Sequence, residues 1–246
     1  MENLSPVDEV RRQWLIRALA SGLFGAVLFD RDAVAADVFG GRPAKLPPGQ
    51  SIYRITGKVL VNGVAASADT LIAATDTIET PPGGELVFAV GSHAMLVRED
   101  SRVALQAAAG SAALGAVEVS RGKVLSVFGA GEVRRLTTPT AAIEIKGTGV
   151  YIEADPEQTY FCTCYGVADV VAIRDPQSRE SVKTLHHDKP LYVGAGASAG
   201  QNIRSAPFIN HTDQELMLIE TLVGRTPPFN FPGSQYKTPR PSGRYR

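Results

Sequence analysis

Apolar and polar residues alternate with a period of two along much of this chain between residues 52 and 173, the spacing of strands that bury one face. Residues 53–61 alternate, and Asn62-Gly63 follows, the pair best suited to the positive φ angles of a type I′ turn, so a hairpin is predicted there. Residues 85–90 and 101–105 read as further strands, with Pro81-Pro82-Gly83-Gly84 marking a reversal before the first. The small residues 107–116 predict a loop over the core, after which 122–128 and 133–137 resume the strand pattern. Residues 141–145 and 150–153 alternate around Gly147 and Gly149, a spacing that suits a bulge or tight bend. Asp155-Pro156-Glu157 supplies a turn, residues 159–165 are aromatic and β-branched, Gly166 interrupts, and 167–173 is a nearly continuous apolar run.

Short strands at intervals of roughly ten residues, without helical repeats between them, predict an all-β single domain forming a two-layer sandwich or a short solenoid-like stack. Beyond residue 173 the pattern weakens to a turn at 175–178 and short strands at 180–185 and 191–193, then a flexible connection at 194–200. One helix is predicted, at residues 213–223. Thr212 and Glu215 have the spacing of a capping box, Leu216, Ile219, Leu222 and Val223 share a face, and Gly224 followed by Pro227-Pro228 stops it. It reads as a brace on the β core. The tail 225–246 has five prolines, five basic residues and no acid, a composition of disorder.

Residues 1–35 differ in kind. Arg11-Arg12 precede Trp14-Leu15, an uncharged stretch covers 18–29, and Ala33-Val34-Ala35 has the small-x-small form accepted by signal peptidase. This resembles a twin-arginine export signal, so a cleavable signal peptide, a periplasmic mature protein and a linker over residues 36–51 are expected. The apolar stretch is shorter than the roughly 20 residues that a membrane crossing needs, so no stable span is expected after processing. An uncleaved anchoring helix is the alternative.

Acidic and basic residues balance at 25 each, so bulk charge asks for neither nucleic acid nor an anionic membrane. Arg134, Arg135 and Lys146 lie near Glu132, Glu144 and Glu153 and read as cross-strand charge pairs on a solvated face. The motifs of serine hydrolases, phosphate-binding loops and zinc proteases do not occur, which points away from an enzyme.

The sharpest chemical candidates are Cys162 and Cys164, the chain's two cysteines. Two apart on a strand, their thiols share a face. Three readings stay open: packed apolar residues facing the core beside Val170 or Ile173, a strained disulfide near the limit of Cα reach, or thiolate ligands for zinc or copper with His186 or His187 as imidazole partners. At most one histidine of that pair faces the thiols if both lie on a strand. His93, in the turn after Gly91-Ser92, and His211, just ahead of the Thr212 cap, read as surface or capping-region residues.

The residues 138–141, Thr-Pro-Thr-Ala, then an alternating strand, Gly147-Thr148-Gly149, a strand, an acidic turn and a strand ending in Tyr165-Gly166-Val167 resemble the signature of the FecR-like domain family, sensors of ferric dicitrate regulation. Upstream, residues 76–80, 85–92, 101–105 and 122–124 follow the same order, so the resemblance covers roughly residues 52–173. It implies a periplasmic binding or sensory module, with 174–224 as a C-terminal extension. Regulatory members carry a cytoplasmic anti-sigma segment, for which the ten residues before the arginine pair leave no room. The expected function is therefore an exported FecR-like module contacting an envelope protein. The rival is a periplasmic metal-binding or redox protein built on Cys162, Cys164, His186 and His187.

Overall fold

Three strands of fourteen or fifteen residues run through the whole fold, and each turns a corner at a glycine. The computed structural model describes residues 44–131, 133–196 and 199–229. The expected signal peptide and half of the linker, residues 36–43, lie outside the described residues, as does the tail beyond 229.

Seven short strands come first: Ile52–Thr56 (β1), Leu60–Val61 (β2), Val64–Ala65 (β3), Thr77–Thr80 (β4), Glu85–Val90 (β5), His93–Val97 (β6) and Ser101–Ala107 (β7). Then follow Leu114–Val127 (β8), Val133–Thr137 (β9), Ala141–Ala154 (β10) and Gln158–Ala172 (β11). Asp175–Thr184 (β12), Leu191–Gly194 (β13) and Ile203–Ser205 (β14) continue the same sheet beyond Ile173, and Asp213–Leu222 (α1) is the one helix among the described residues.

The expected hairpin forms between β2 and β3, with both Asn62 and Gly63 at positive φ. The expected loop is shorter than its run of small residues, because β8 already begins at Leu114. Residues 141–145 and 150–153, which alternate as two separate strands, form the single bent strand β10.

The bends create two layers from one sheet. Residues 102–107 of β7 pair with the first half of β8, which also lies parallel to β9, whereas residues 124–127 of β8 pair with β6 and residues 122–127 with the second half of β10. Likewise β11 gives its first residues to β13 and its last to β12. Side chains from both halves, among them Leu105, Val117, Ile143 and Ile145 facing Phe88, Met95, Val124 and Ile152, close over one core. This is the expected all-β, two-layer arrangement.

The corner of β8 shows why glycine is needed. Gly122 has φ +93°, and a Cβ there would stand 2.4 Å from Cα of Ser101. In β10 the register with β11 shifts on either side of Gly149, the bulge foreseen from the glycine spacing. Tyr165, its partner across the ladder, lays its ring where a Cβ of Gly149 would go, 2.6 Å from the nearest ring carbon.

The two layers face different surroundings. The outer face of the first is wet, and its charges pair in register: Arg102 with Glu79, and Arg135 with Glu144 at 3.5 Å. The second layer is buried on both faces, which is why β5 and β6 read as continuous apolar runs instead of alternating ones. One face joins the core; the other, with Val87, Ala89, Ala94, Leu96, Leu125 and Val127, lies under α1.

The helix begins and ends as its residues dictate. Thr212 and Glu215 form the reciprocal capping box. At the other end Gly224, at φ +75°, donates to the carbonyl of Thr221 and Arg225 to that of Glu220, a Schellman pattern. Leu216, Ile219 and Leu222 make the buried face. Arg225 then pairs with the buried Glu220 at 2.7 Å, and Tyr165 also bonds that carboxylate, so the first residues of the tail are packed rather than free.

Candidate metal centre

Cys162 and Cys164 sit where β11 leaves its β13 partner and approaches the corner at Gly166. Their two-residue spacing does place both thiols on one face, but that face is the outer one of the second layer, under α1, and not the core that holds Val170; Ile173 is exposed. The reason is the corner itself: Gly166, at φ +97°, interrupts the alternation between Cys164 and Val170. Both thiols are fully buried and free, so the strained disulfide is absent.

The histidine pair lies in a bend after β12 rather than on a strand. Asp188 shapes the bend by accepting from the Thr184 hydroxyl at 2.6 Å and the Leu185 amide at 2.9 Å. The backbone N–H of His187 donates to the carbonyl of Cys164, on the stretch of β11 that neither β12 nor β13 covers. His187, at φ +53°, therefore points its ring inward, with Nδ1 3.4 Å from Sγ of Cys162. His186 turns outward to Asp213 and does not reach the thiols.

The fourth member is His211, expected at the surface or in the capping region of the helix. Nε2 of His211 stands 3.5 Å from Sγ of Cys164 and 3.2 Å from Nδ1 of His187, and the residue is buried. Tyr151 stacks on its ring at 4.4 Å, and Phe208 packs on both His187 and His211. His211 directly precedes the N-cap Thr212, the position whose side chain folds back toward the first turn of a capped helix. That is the signal that could have found it. His93, also read as a turn residue, is buried at the start of β6 and accepts the Gly129 amide at Nδ1.

One sulfur or nitrogen atom from each of Cys162, Cys164, His187 and His211 lies within 4.8 Å of all the others. For a tetrahedral ion with bonds of about 2.3 Å to sulfur and about 2.0–2.1 Å to nitrogen, the N···N edge is about 3.3–3.4 Å and the S···N edges about 3.5–3.6 Å. The observed separations of 3.2, 3.4 and 3.5 Å match those edges.

Hydrogen bonding outside the cluster fixes which ring nitrogens face in as lone pairs. Nδ1 of His211 lies 2.7 Å from the carbonyl of Ile209, and Nε2 of His187 lies 3.1 Å from Oδ1 of Asp213. Carbonyl and carboxylate oxygens only accept, so the outward nitrogens carry the protons. The two inward nitrogens then present lone pairs toward each other and toward the two thiols, a set that thiol protons, an imidazole proton or a metal ion can satisfy.

The two thiols are driven in opposite directions, one toward the thiolate and the other toward the protonated form. Hydrogen bonding from the Cys164 thiol, followed by that from His187 and His211, holds the Cys162 thiol down at about 4 against the opposing effect of burial. Burial pushes Cys164 well above the thiol range. For His187 burial disfavours the charged form, but Cys162 and Asp213 together outweigh it and raise the pKa.

The residues of the family-like signature are structural by contrast. Thr138 and Thr140 both meet the hydroxyl of Thr159, at 2.6 and 2.7 Å, and Thr140 also donates to the carbonyl of Val193, tying β10, β11 and β13 together.

No family model matches the chain, and no curated protein matches it. Two crystal structures of a protein from Parabacteroides distasonis, described provisionally as an anti-sigma factor, are similar to it at 13% identity and a TM-score of 0.42. The match covers 53% of this chain and 58% of those chains, so it spans less than two thirds of their length. Among the described residues no helix is long and apolar enough to cross a membrane.

Proposed function

We propose that this chain is an exported, FecR-like β module that works by binding rather than catalysis and holds a zinc ion at Cys162, Cys164, His187 and His211. The observation that carries the metal reading is the facing pair of imidazole lone pairs, His187 Nδ1 and His211 Nε2, flanked by two thiols at tetrahedral edge lengths. Four protein ligands close the coordination sphere, the mark of a structural rather than a catalytic zinc. Two sulfurs and two imidazoles suit zinc, with copper the competing metal for such donors.

The ion joins three segments that are remote in sequence: β11, the bend after β12 and the lead into α1. Its binding free energy goes into holding α1 on the sheet. The FecR-like order of motifs, the twin-arginine-like residues 11–17 and the small residues before position 36 support a periplasmic location and contact with an envelope protein.

Cys162, His187 and Asp213 also have the connectivity of an activated thiol nucleophile. Burial speaks against that role, since Sγ of Cys162 lies beneath the helix and the aromatic rings, where a substrate would have to displace α1.

Protein purified from the periplasmic fraction should contain one zinc per chain by elemental analysis. Zinc should be absent from a His187→Ala, His211→Ala variant and from a Cys162→Ser, Cys164→Ser variant. A metal-free wild-type protein that takes up no zinc or copper would overturn the reading.

A further inference from the structure

The four inner donors are nearly sealed from solvent, which raises the question of how an ion reaches them. Exposure falls in steps across neighbouring side chains: His186 is 40% exposed, Asp213 21% and His187 7%, and the two thiols are fully buried. Nε2 of His186 lies 2.9 and 3.0 Å from the two oxygens of Asp213, and one of those oxygens touches Nε2 of His187 at 3.1 Å. These three side chains also place one donor atom each within 4.8 Å of one another.

We propose that Asp213 and His186 form an outer docking station for the divalent ion that fills the buried centre, an inference that rests on the metal reading above.

The chemistry is graded in the same direction as the burial. A hydrated dication meets a carboxylate and an exposed imidazole first, and water completes its shell. The softer thiolates, which bind zinc or copper more firmly, lie further in. Exchange one ligand at a time keeps the ion partly coordinated on its way through a low-dielectric region, where a bare charge would be costly. His187 links the stages, because its outer nitrogen contacts the station and its inner nitrogen belongs to the centre.

Two details suit a station that releases what it holds. Asp213 is the first residue of α1, where the helix dipole stabilises the carboxylate but opposes a cation, so the grip is weak. Asp188, the nearest other acid in the bend, is taken up by Thr184 and backbone amides and adds no ligand. His187 contacts one oxygen of Asp213, whereas the exposed imidazole of His186, which packs edge-on against the His187 ring at 4.7 Å, reaches both.

The test is stopped-flow uptake of cobalt(II) by metal-free protein, read from the thiolate-to-cobalt absorption that appears only when the ion reaches Cys162 and Cys164. In His186→Ala, association and dissociation should both slow by roughly tenfold, leaving Kd unchanged. Unchanged rates would overturn the proposal. So would faster release with a weaker Kd, which would make His186 a positioning residue for Asp213. If wild-type protein develops no thiolate band at all, the metal reading itself fails, a result already visible before the variant is examined.

Discussion

Nδ1 of His187 and Nε2 of His211 face each other across 3.2 Å, and each ring has its other nitrogen committed outward, to Asp213 and to the Ile209 carbonyl. Residues 24 apart in sequence meet this way only because the bend after β12 and the lead into α1 converge on the uncovered stretch of β11.

Asp213 fixes the tautomer of His187, a ligand of the proposed zinc ion, from outside the proposed four-ligand centre. Asp213→Asn should therefore weaken zinc binding by about 10–100-fold while the protein stays folded, as is usual for outer partners of ligating histidines. Competition with a chromophoric chelator measures it. An unchanged affinity would show that His187 needs no carboxylate to face inward.

Gly122 predicts a larger stability effect than the turn glycines. Gly122→Ala drives a methyl into the backbone of Ser101 and should cost at least about 2–3 kcal/mol. Gly63→Ala, at φ +79° but with open space around it, should cost only about 1 kcal/mol. Urea melts compare the two, and equal costs would contradict the corner argument.

The chain's strands were legible from alternation, turn residues and the two corner glycines of β10, because these are local signals. The bends were not, since pattern alone does not say that 141–145 and 150–153 are halves of one strand exchanging partners. Three of the four residues of the buried thiol–imidazole cluster were legible. Cys162 and Cys164 share a face as their spacing requires, and His187 is the member of its pair that reaches them. His211 was missed because its place before the N-cap Thr212 is a weak signal; its environment comes mainly from Tyr151, Phe208 and Cys164, which are brought in by tertiary packing.

His93 should make stability fall with acid. Burial first, then the charges of Arg134 and Arg225, lower its pKa from 6.5 to about 4. Between those values the unfolded chain takes up a proton that the folded chain refuses, so stability is lost as pH drops through this window. His93→Gln keeps an acceptor for the Gly129 amide and should flatten the dependence between pH 6.5 and about 4. Parallel curves for the two proteins would remove His93 from the account.

Arg225 is the cationic partner of a carboxylate buried at the end of α1. Arg225→Ala should destabilise by about 2–3 kcal/mol, the lower part of the range for broken buried pairs, because a quarter of the arginine side chain meets solvent. Thermal denaturation reads it. A neutral result would mean that Glu220 is satisfied by Tyr165 alone.

X-ray absorption at the zinc edge, on protein isolated with its native metal, tests the central claim most directly. Two sulfurs at about 2.3 Å and two imidazole nitrogens at about 2.0 Å are expected, with the His211→Ala variant losing one nitrogen and the His186→Ala variant unchanged. A shell of oxygens, or a spectrum altered by His186→Ala but not by His211→Ala, would contradict the centre described above.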